Sequence, residues 1–349
     1  MNIELLRKLT DAPGISGYED QVRAVVVQEL RPLTDEMHGD RLGNVIATRK
    51  GTGGPKILIA AHMDEIGFMV RHIDQRGFIR IQQIGSFDPR VLVAQRVIVH
   101  TEGGERNPGV IKTTSEPLHF GPPDSSWRPS MSDLFVDLGL SGATVHRHIE
   151  VGNMITTDRT LMVTSESLIG KALDNRLGLY VMIEALRTMG QTSAEVIAVA
   201  TSQEEVGSRG AVTAAFALEP DICIALDLTI ANDIPGSTSE EEVTRLGSGP
   251  AIKVMDTTQL SHPKLVRHLR DIATQHQVPY QLEVLNRGGT DASLIQRTRA
   301  GVTVCTILIP ARYIHTANEM ASQHDVEATV ILLARYLEEA GNREYQFSF

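Results

Sequence analysis

A chain of 349 residues exceeds the size at which a single hydrophobic core usually stops growing, so one large domain with a smaller companion is expected. Apolar residues at 42% and charged residues at 22% are ordinary globular values, and no apolar stretch reaches the roughly 20 residues a membrane helix needs, which excludes a membrane-spanning reading. A formal charge of −10 without any Lys/Arg cluster argues against a nucleic-acid partner, which would call for a concentrated basic face.

The opening MNIELLRKLTDAPG carries an early acidic residue and no apolar run before a small-residue cleavage site, so it is not a secretory signal and a cytoplasmic location is expected. Ser16 followed by Glu19 reads as a capping box, predicting a helix from near Gly17 through QVRAVVVQEL to just before Pro32. NVIATR, KILIAAHMD and GFMVRHID are apolar and β-branched, which predicts strands.

From about Gly67 to Thr164 the short β-rich pieces FIRIQQIG, RVIVHT, NPGVIK, LFVDLG and NMITT are punctuated by Gly, Pro and Asn, predicting a small β-barrel or sandwich. Within it, the Pro-rich segment from Thr113 to Ser132 lacks periodicity and reads as a mobile surface loop. His146 and His148 of HRH read as the solvated face of a strand. After Thr164 strands and helices alternate: AEVIAVATS, SRGAVTAAFAL, DICIALD, PKLVRHLRDIATQ, YQLEVL, DASLIQRT, VTVCTILI and DVEATVILLARYLEEA. That rhythm predicts an α/β fold with a mostly parallel sheet flanked by helices. The expected organisation is therefore an α/β domain of residues 1–66 and 165–349, with the β-rich residues 67–164 inserted. Cys223 and Cys305 lie in separate apolar runs and are expected as buried free thiols.

His62, Asp174, Glu205, Asp227 and His315 each sit at or near the end of a short apolar run. Taken singly, His62 reads as an ordinary buried histidine and Asp174 as a helix N-cap. Adjacent Glu204 and Glu205 directly after a buried strand are harder to dismiss, because two neighbouring carboxylates repel each other and resist desolvation. Strand ends at one edge of an α/β sheet face its ligand crevice. Jointly the five form a ligand set of imidazole and carboxylate suited to two divalent cations such as Zn²⁺, Co²⁺ or Mn²⁺. Glu204 is then placed as the general base on an activated water. Asp64, two residues beyond His62, is expected to orient that imidazole by accepting its second ring proton. In RGGTDAS, Thr290 or Asp291 reads as a helix cap.

The segments AHMDEIGF, GKALDNRLG, TSQEEVGSRGA, ALD, RGGTDASLI and PARYIHT, in this order, resemble the cytosolic dinuclear-metal aminopeptidases that include the TET, deblocking and glutamyl aminopeptidases. The resemblance covers nearly the whole chain. It implies a zinc-peptidase-like α/β domain with an inserted β-rich dimerisation domain, and homo-oligomers in which dimers build hollow dodecamers. It makes Asp174 the bridging ligand, with His62 and Asp227 completing one metal, Glu205 and His315 the other. Glu204 becomes the general base and Asp64 its supporting catalytic residue. Gly289, Thr290, Asp291, Arg312 and Tyr313 become candidates for contact with short peptide substrates. The loop containing HFGPPDSSWRPS departs from the family in lacking its charged run. Two other readings use the same residues: a metal-dependent deacylase or deacetylase of N-acyl amino acids or sugars, and a non-catalytic metal-stabilised scaffold.

Overall fold

The structure, a computed structural model, describes residues 1–114, 128–238, 240–345 and 347. Alternation along the central strands sorts their side chains into two layers, as the period of two requires. In strand Lys56–His62, Ile57, Ile59 and Ala61 join one core, Leu58 and Ala60 the other. Strand Glu195–Thr201 likewise divides Val196, Ala198 and Ala200 from Ile197 and Val199. Both run parallel to Ile222–Ile230 and Thr303–Arg312, so the carboxyl ends of four adjacent strands line one edge of the sheet. Helices Leu173–Thr188 and Gln323–Glu339 cover the first layer, and helices Arg209–Leu218 and Asp291–Ile295 the second. Each Ile or Leu buried fully between these layers stabilises the fold by about 1.5–3 kcal/mol.

The full sheet has 11 strands and is mixed. Its parallel centre is extended on one side by antiparallel Val45–Arg49 and Glu36–Gly39, and on the other by Glu319–Ser322, Ser167–Gly170 and Met162–Val163. Strand Ala251–Met255 branches off Thr303–Arg312 and pairs in turn with Gln281–Val284.

The β-rich middle closes into an antiparallel barrel of the strands Gly67–Ile73, Ile79–Ile84, Leu134–Asp137, Arg106–Thr113, Arg96–His100 and Met154–Thr157. Closure leaves no open edge between its strands. Its interior is a separate core that includes Phe68, Val70, Ile79, Val97, Ile111, Val136 and Ile155, with Phe87 stacked on Phe68 at a centroid distance of 4.5 Å.

Some elements differ from their sequence pattern. Helix Ile3–Asp11 was not anticipated; it buries Leu5, Leu6 and Leu9, and the Leu5 N–H donates to Asn2 Oδ1 at 3.1 Å. The capping box does not form. The second helix starts at Asp20, because the Ser16 hydroxyl donates to Asp64 Oδ2 at 2.6 Å, and Glu19 Oε1 accepts the amides of Gly17 and Gln203. Both presumed capping side chains are thus committed to contacts distant in sequence. His146 and His148 lie on helix Gly142–His148, started by Ser141, and not on a strand, although both are exposed. Residues 115–127 of the expected surface loop lie outside the described residues; its flanks are strand Arg106–Thr113 and a short turn of helix at Met131–Asp133. Cys223 and Cys305 are free and buried.

Candidate metal centre

Five elements converge on the carboxyl edge of the parallel strands. His62 is the last residue of its strand, whereas Asp227 lies inside strand Ile222–Ile230 and not beyond it as its sequence pattern suggested. Asp174 stands in the first turn of helix Leu173–Thr188 with non-helical backbone (φ −78°, ψ 108°), but the side chain that caps the helix is that of Asn175, whose Oδ1 accepts the Gly178 N–H at 3.1 Å. Glu204 and Glu205 occupy the turn between strand Glu195–Thr201 and helix Arg209–Leu218. His315 follows strand Thr303–Arg312. The turns are strained: Gln203, Tyr313 and His315 have left-handed φ of 58°, 61° and 62°, a conformation that non-glycine residues hold only where the surroundings enforce it.

Two triads result, His62–Asp174–Asp227 and Asp174–Glu205–His315, whose potential ligand atoms lie within 4.8 Å of one another in each. Asp174 belongs to both. Its Oδ1 is 3.3 Å from His62 Nε2 and its Oδ2 is 3.5 Å from His315 Nε2. Asp227 Oδ1 lies 3.8 Å from His62 Nε2, and Glu205 Oε1 lies 3.5 Å from His315 Nε2. Tetrahedral ligation with bonds near 2.1 Å has ligand-to-ligand edges of about 3.4 Å, so these separations fit a shared cation. Asp174 Oδ1 is buried without a hydrogen-bond partner, an arrangement that costs about 1–3 kcal/mol unless something supplies positive charge.

Electrostatics point the same way. Burial opposes charge on His62, yet Asp174, Asp227 and Asp64 together raise its pKa well above the ordinary imidazole value. His315 is pushed up to about 10 by Asp174 and Glu205 against burial. Burial, together with Asp174 and Asp64, drives Glu205 up to about 8, while Asp174 itself is held below the ordinary aspartate range by its two histidines despite burial. Burial raises Glu204 well above the usual glutamate value, helped by the charges of Asp291, Asp227 and Glu205. Crowded, desolvated carboxylates of this kind are relieved by a divalent cation, whose charge reverses these shifts.

Asp64 does not act as its spacing suggested. His62 Nδ1 lies 3.0 Å from the Asp64 backbone carbonyl, which accepts its proton, and 3.5 Å from the carboxylate. The carboxylate instead receives the backbone N–H groups of Glu204 and Glu205, each at 3.0 Å, and the Ser16 hydroxyl. It thereby fixes the turn that carries the presumed base. Glu204 Oε1 accepts the Ser208 hydroxyl at 3.1 Å and belongs to neither triad.

Several participants escaped the sequence pattern. Glu319, 1% exposed, accepts the backbone amides of His315 and Asp174. Glu65 is buried between Lys171, at 2.8 Å, and Arg176, at 3.7 Å, and also accepts the Gly14 amide. Glu65 follows His62 by three positions, and Lys171 and Arg176 flank Asp174 in the chain. Only their sequence proximity to those residues could have flagged them.

The candidate substrate residues divide. Thr290 heads helix Asp291–Ile295 but its hydroxyl bonds Gln259 and Thr306 inside the protein, so it makes no side-chain cap. Asp291 is buried, accepts the Thr201 hydroxyl at 2.5 Å, and is pushed up to about 6 by burial. Arg312 is held by Asp233. Gly289 and Tyr313 are exposed, Tyr313 two residues before His315.

Residues 43–332 match the family model described as M42 glutamyl aminopeptidase, and residues 2–25 match a second described as AMPT. A lysyl aminopeptidase of Pyrococcus furiosus is 38% identical over 343 residues, covering 96% of this chain and 96% of that protein. An aminopeptidase from the archaeon Desulfurococcus kamchatkensis superposes with a TM-score of 0.93 at 40% identity, covering 97% of this chain and 94% of the other. The TET1 peptidase of Pyrococcus horikoshii, which can assemble into a tetrahedron or a large octahedral shell, superposes at 0.85 with 31% identity, covering 97% and 99%. The chain belongs to the M42 glutamyl aminopeptidase family and is an aminopeptidase. No helix among the described residues is long and apolar enough to cross a membrane.

Proposed function

We propose that this aminopeptidase removes the N-terminal residue of short peptides at a centre of two divalent cations, with Zn²⁺ the favoured ion and Co²⁺ or Mn²⁺ alternatives. The observation that carries the reading is Asp174, whose two carboxylate oxygens face different triads at 3.3 and 3.5 Å from His62 and His315. His62 and Asp227 would hold one cation, Glu205 and His315 the other, and Asp174 both. When bound, such cations polarise the scissile carbonyl and make water a nucleophile near neutral pH.

The chain's own groups supply the proton handling. Glu204, outside both triads and anchored through Asp64, takes the proton from the attacking water and passes it to the departing amine. Asp64 keeps that carboxylate in register by gripping the Glu204–Glu205 amides. Tyr313, exposed two residues before His315, and Gly289, exposed two residues before the buried Asp291, are the proposed substrate contacts. The residues 67–164 are retained as the inserted unit, and assembly into a homo-oligomer is proposed by likeness to the TET1 peptidase.

Glu204→Gln tests the mechanism. Turnover should fall by about 10²–10⁴-fold with cation content unchanged. Activity near that of the unaltered enzyme would remove Glu204 from the role. Acetylating the N-terminus of a cleaved peptide should abolish its hydrolysis, whereas a deacylase would release acetate.

A further inference from the structure

We infer that Glu319 is a positioning residue for the second cation, clamping Asp174 and His315 through their backbones; this rests on the two-cation reading above. Glu319 opens strand Glu319–Ser322 and is 1% exposed. Its Oε1 accepts the His315 N–H at 2.9 Å and its Oε2 accepts the Asp174 N–H at 3.0 Å. One carboxylate thus joins two residues 141 positions apart in the chain, both members of the Asp174–Glu205–His315 triad.

Neither amide has a place in a regular ladder. Asp174 has non-helical backbone within its helix, and His315 has a left-handed φ of 62°. Without Glu319 nothing else accepts their N–H groups among the described hydrogen bonds. The separation of 3.5 Å between His315 Nε2 and Asp174 Oδ2 therefore depends on a group that never touches the cation. Asp64 does the same for the facing turn, accepting the Glu204 and Glu205 amides with its two oxygens. The centre is thus gripped from both sides by carboxylates that read backbone.

The chemistry makes the residue type specific. A glutamine of the same shape has one carbonyl acceptor and one NH₂ donor, so it can satisfy one amide and must turn a donor toward the other. Groups that orient ligands in this way typically change metal affinity by about 10–100-fold when altered. Asp325 provides an internal control, since its buried carboxylate accepts the amides of Gly247 and Gly249, neither of which belongs to the centre.

The test is calorimetric titration of chelator-stripped protein with Zn²⁺, paired with the visible spectrum on stepwise addition of Co²⁺. The unaltered chain should take two cations. Glu319→Gln should bind the second about 10–100-fold more weakly and alter the absorption of the second Co²⁺ equivalent, with the first changed far less. Glu319→Asp should recover part of the affinity. Asp325→Asn should lower the thermal midpoint and keep both cations. A Glu319→Gln protein that binds both with unaltered affinity and spectrum overturns the clamp and leaves the two-cation centre standing. So does an Asp325→Asn protein that loses the second cation to the same degree. An unaltered chain that saturates with one cation overturns the centre and the clamp together.

Discussion

The barrel and the large sheet fill their interiors on different terms. Among the described residues from Gly67 to Thr157 no Asp, Glu, Lys or Arg is buried, and the core is aliphatic with Phe68 and Phe87. The sheet and its loops bury His62, Asp64, Glu65, Lys171, Arg176, Asp227, Asp291 and Glu319. Desolvating an ion costs several kcal/mol unless partners or a cation compensate, so charge concentrated in one region marks where stability is given up for chemistry. The barrel is apolar scaffold by the same measure. The two regions meet at the turn after strand Ile79–Ile84. There a Cβ on Gly85, whose φ is +76°, would stand 2.9 Å from Glu205 Oε2 and 2.5 Å from Ile66 Cγ2.

Mutations that respect this division should separate activity from stability. The largest effect is the loss of turnover expected for Glu204→Gln, which should leave the unfolding midpoint unchanged. Next is Phe68→Ala in the barrel. It should destabilise by about 3–5 kcal/mol in chemical denaturation, while cation affinity measured on the folded protein stays unaltered. A barrel substitution of this kind that emptied the centre would break the division.

Gly85→Ala should sharpen it from the other side. A side chain in that left-handed turn is strained by about 1–2 kcal/mol, and its contact with Glu205 should weaken uptake of the second cation in a Zn²⁺ titration. Gly104→Ala, at φ +82° with open space around its Cβ, should be strained without touching cation affinity.

The last expected effect concerns acid. Burial holds His100 in the barrel and His268 in helix Pro263–Gln275 at about 4, aided by Arg106 and Arg343 respectively. An unfolded imidazole titrates near 6.5, so between the two values the unfolded chain binds protons that the folded chain refuses. Stability is full above about 6.5, falls as pH drops and levels off for these groups below about 4. Replacing His100 or His268 with Gln should flatten the pH dependence of the thermal midpoint within that window. An unchanged slope in both variants would show that neither histidine is held neutral.

Much of the architecture was legible because it rests on periodicity. The six strands of the barrel coincide with short β-rich pieces bounded by Gly, Pro and Asn, and helix Pro263–Gln275 coincides with PKLVRHLRDIATQ. The approach of His62, Glu205, Asp227 and His315 follows from parallel strands delivering their carboxyl ends to one edge, where the first turn of helix Leu173–Thr188 adds Asp174. What escaped was decided by contacts distant in sequence. Ser16 and Glu19 look like a local cap, but both are drawn into the Asp64 and Gln203 region. The spacing of His62 and Asp64 suggested a carboxylate–imidazole bond, whereas the tight turn presents the carbonyl to the ring and turns the carboxylate to the Glu204–Glu205 amides. Glu319 and Gly85 act on backbone and space, which carry no residue-type signature before the chain is folded.

Anomalous diffraction from crystals grown with Zn²⁺ tests the central claim most directly. Two peaks should flank the Asp174 carboxylate, one among His62 and Asp227 and the other among Glu205 and His315. A single peak, or peaks away from Asp174, would contradict it.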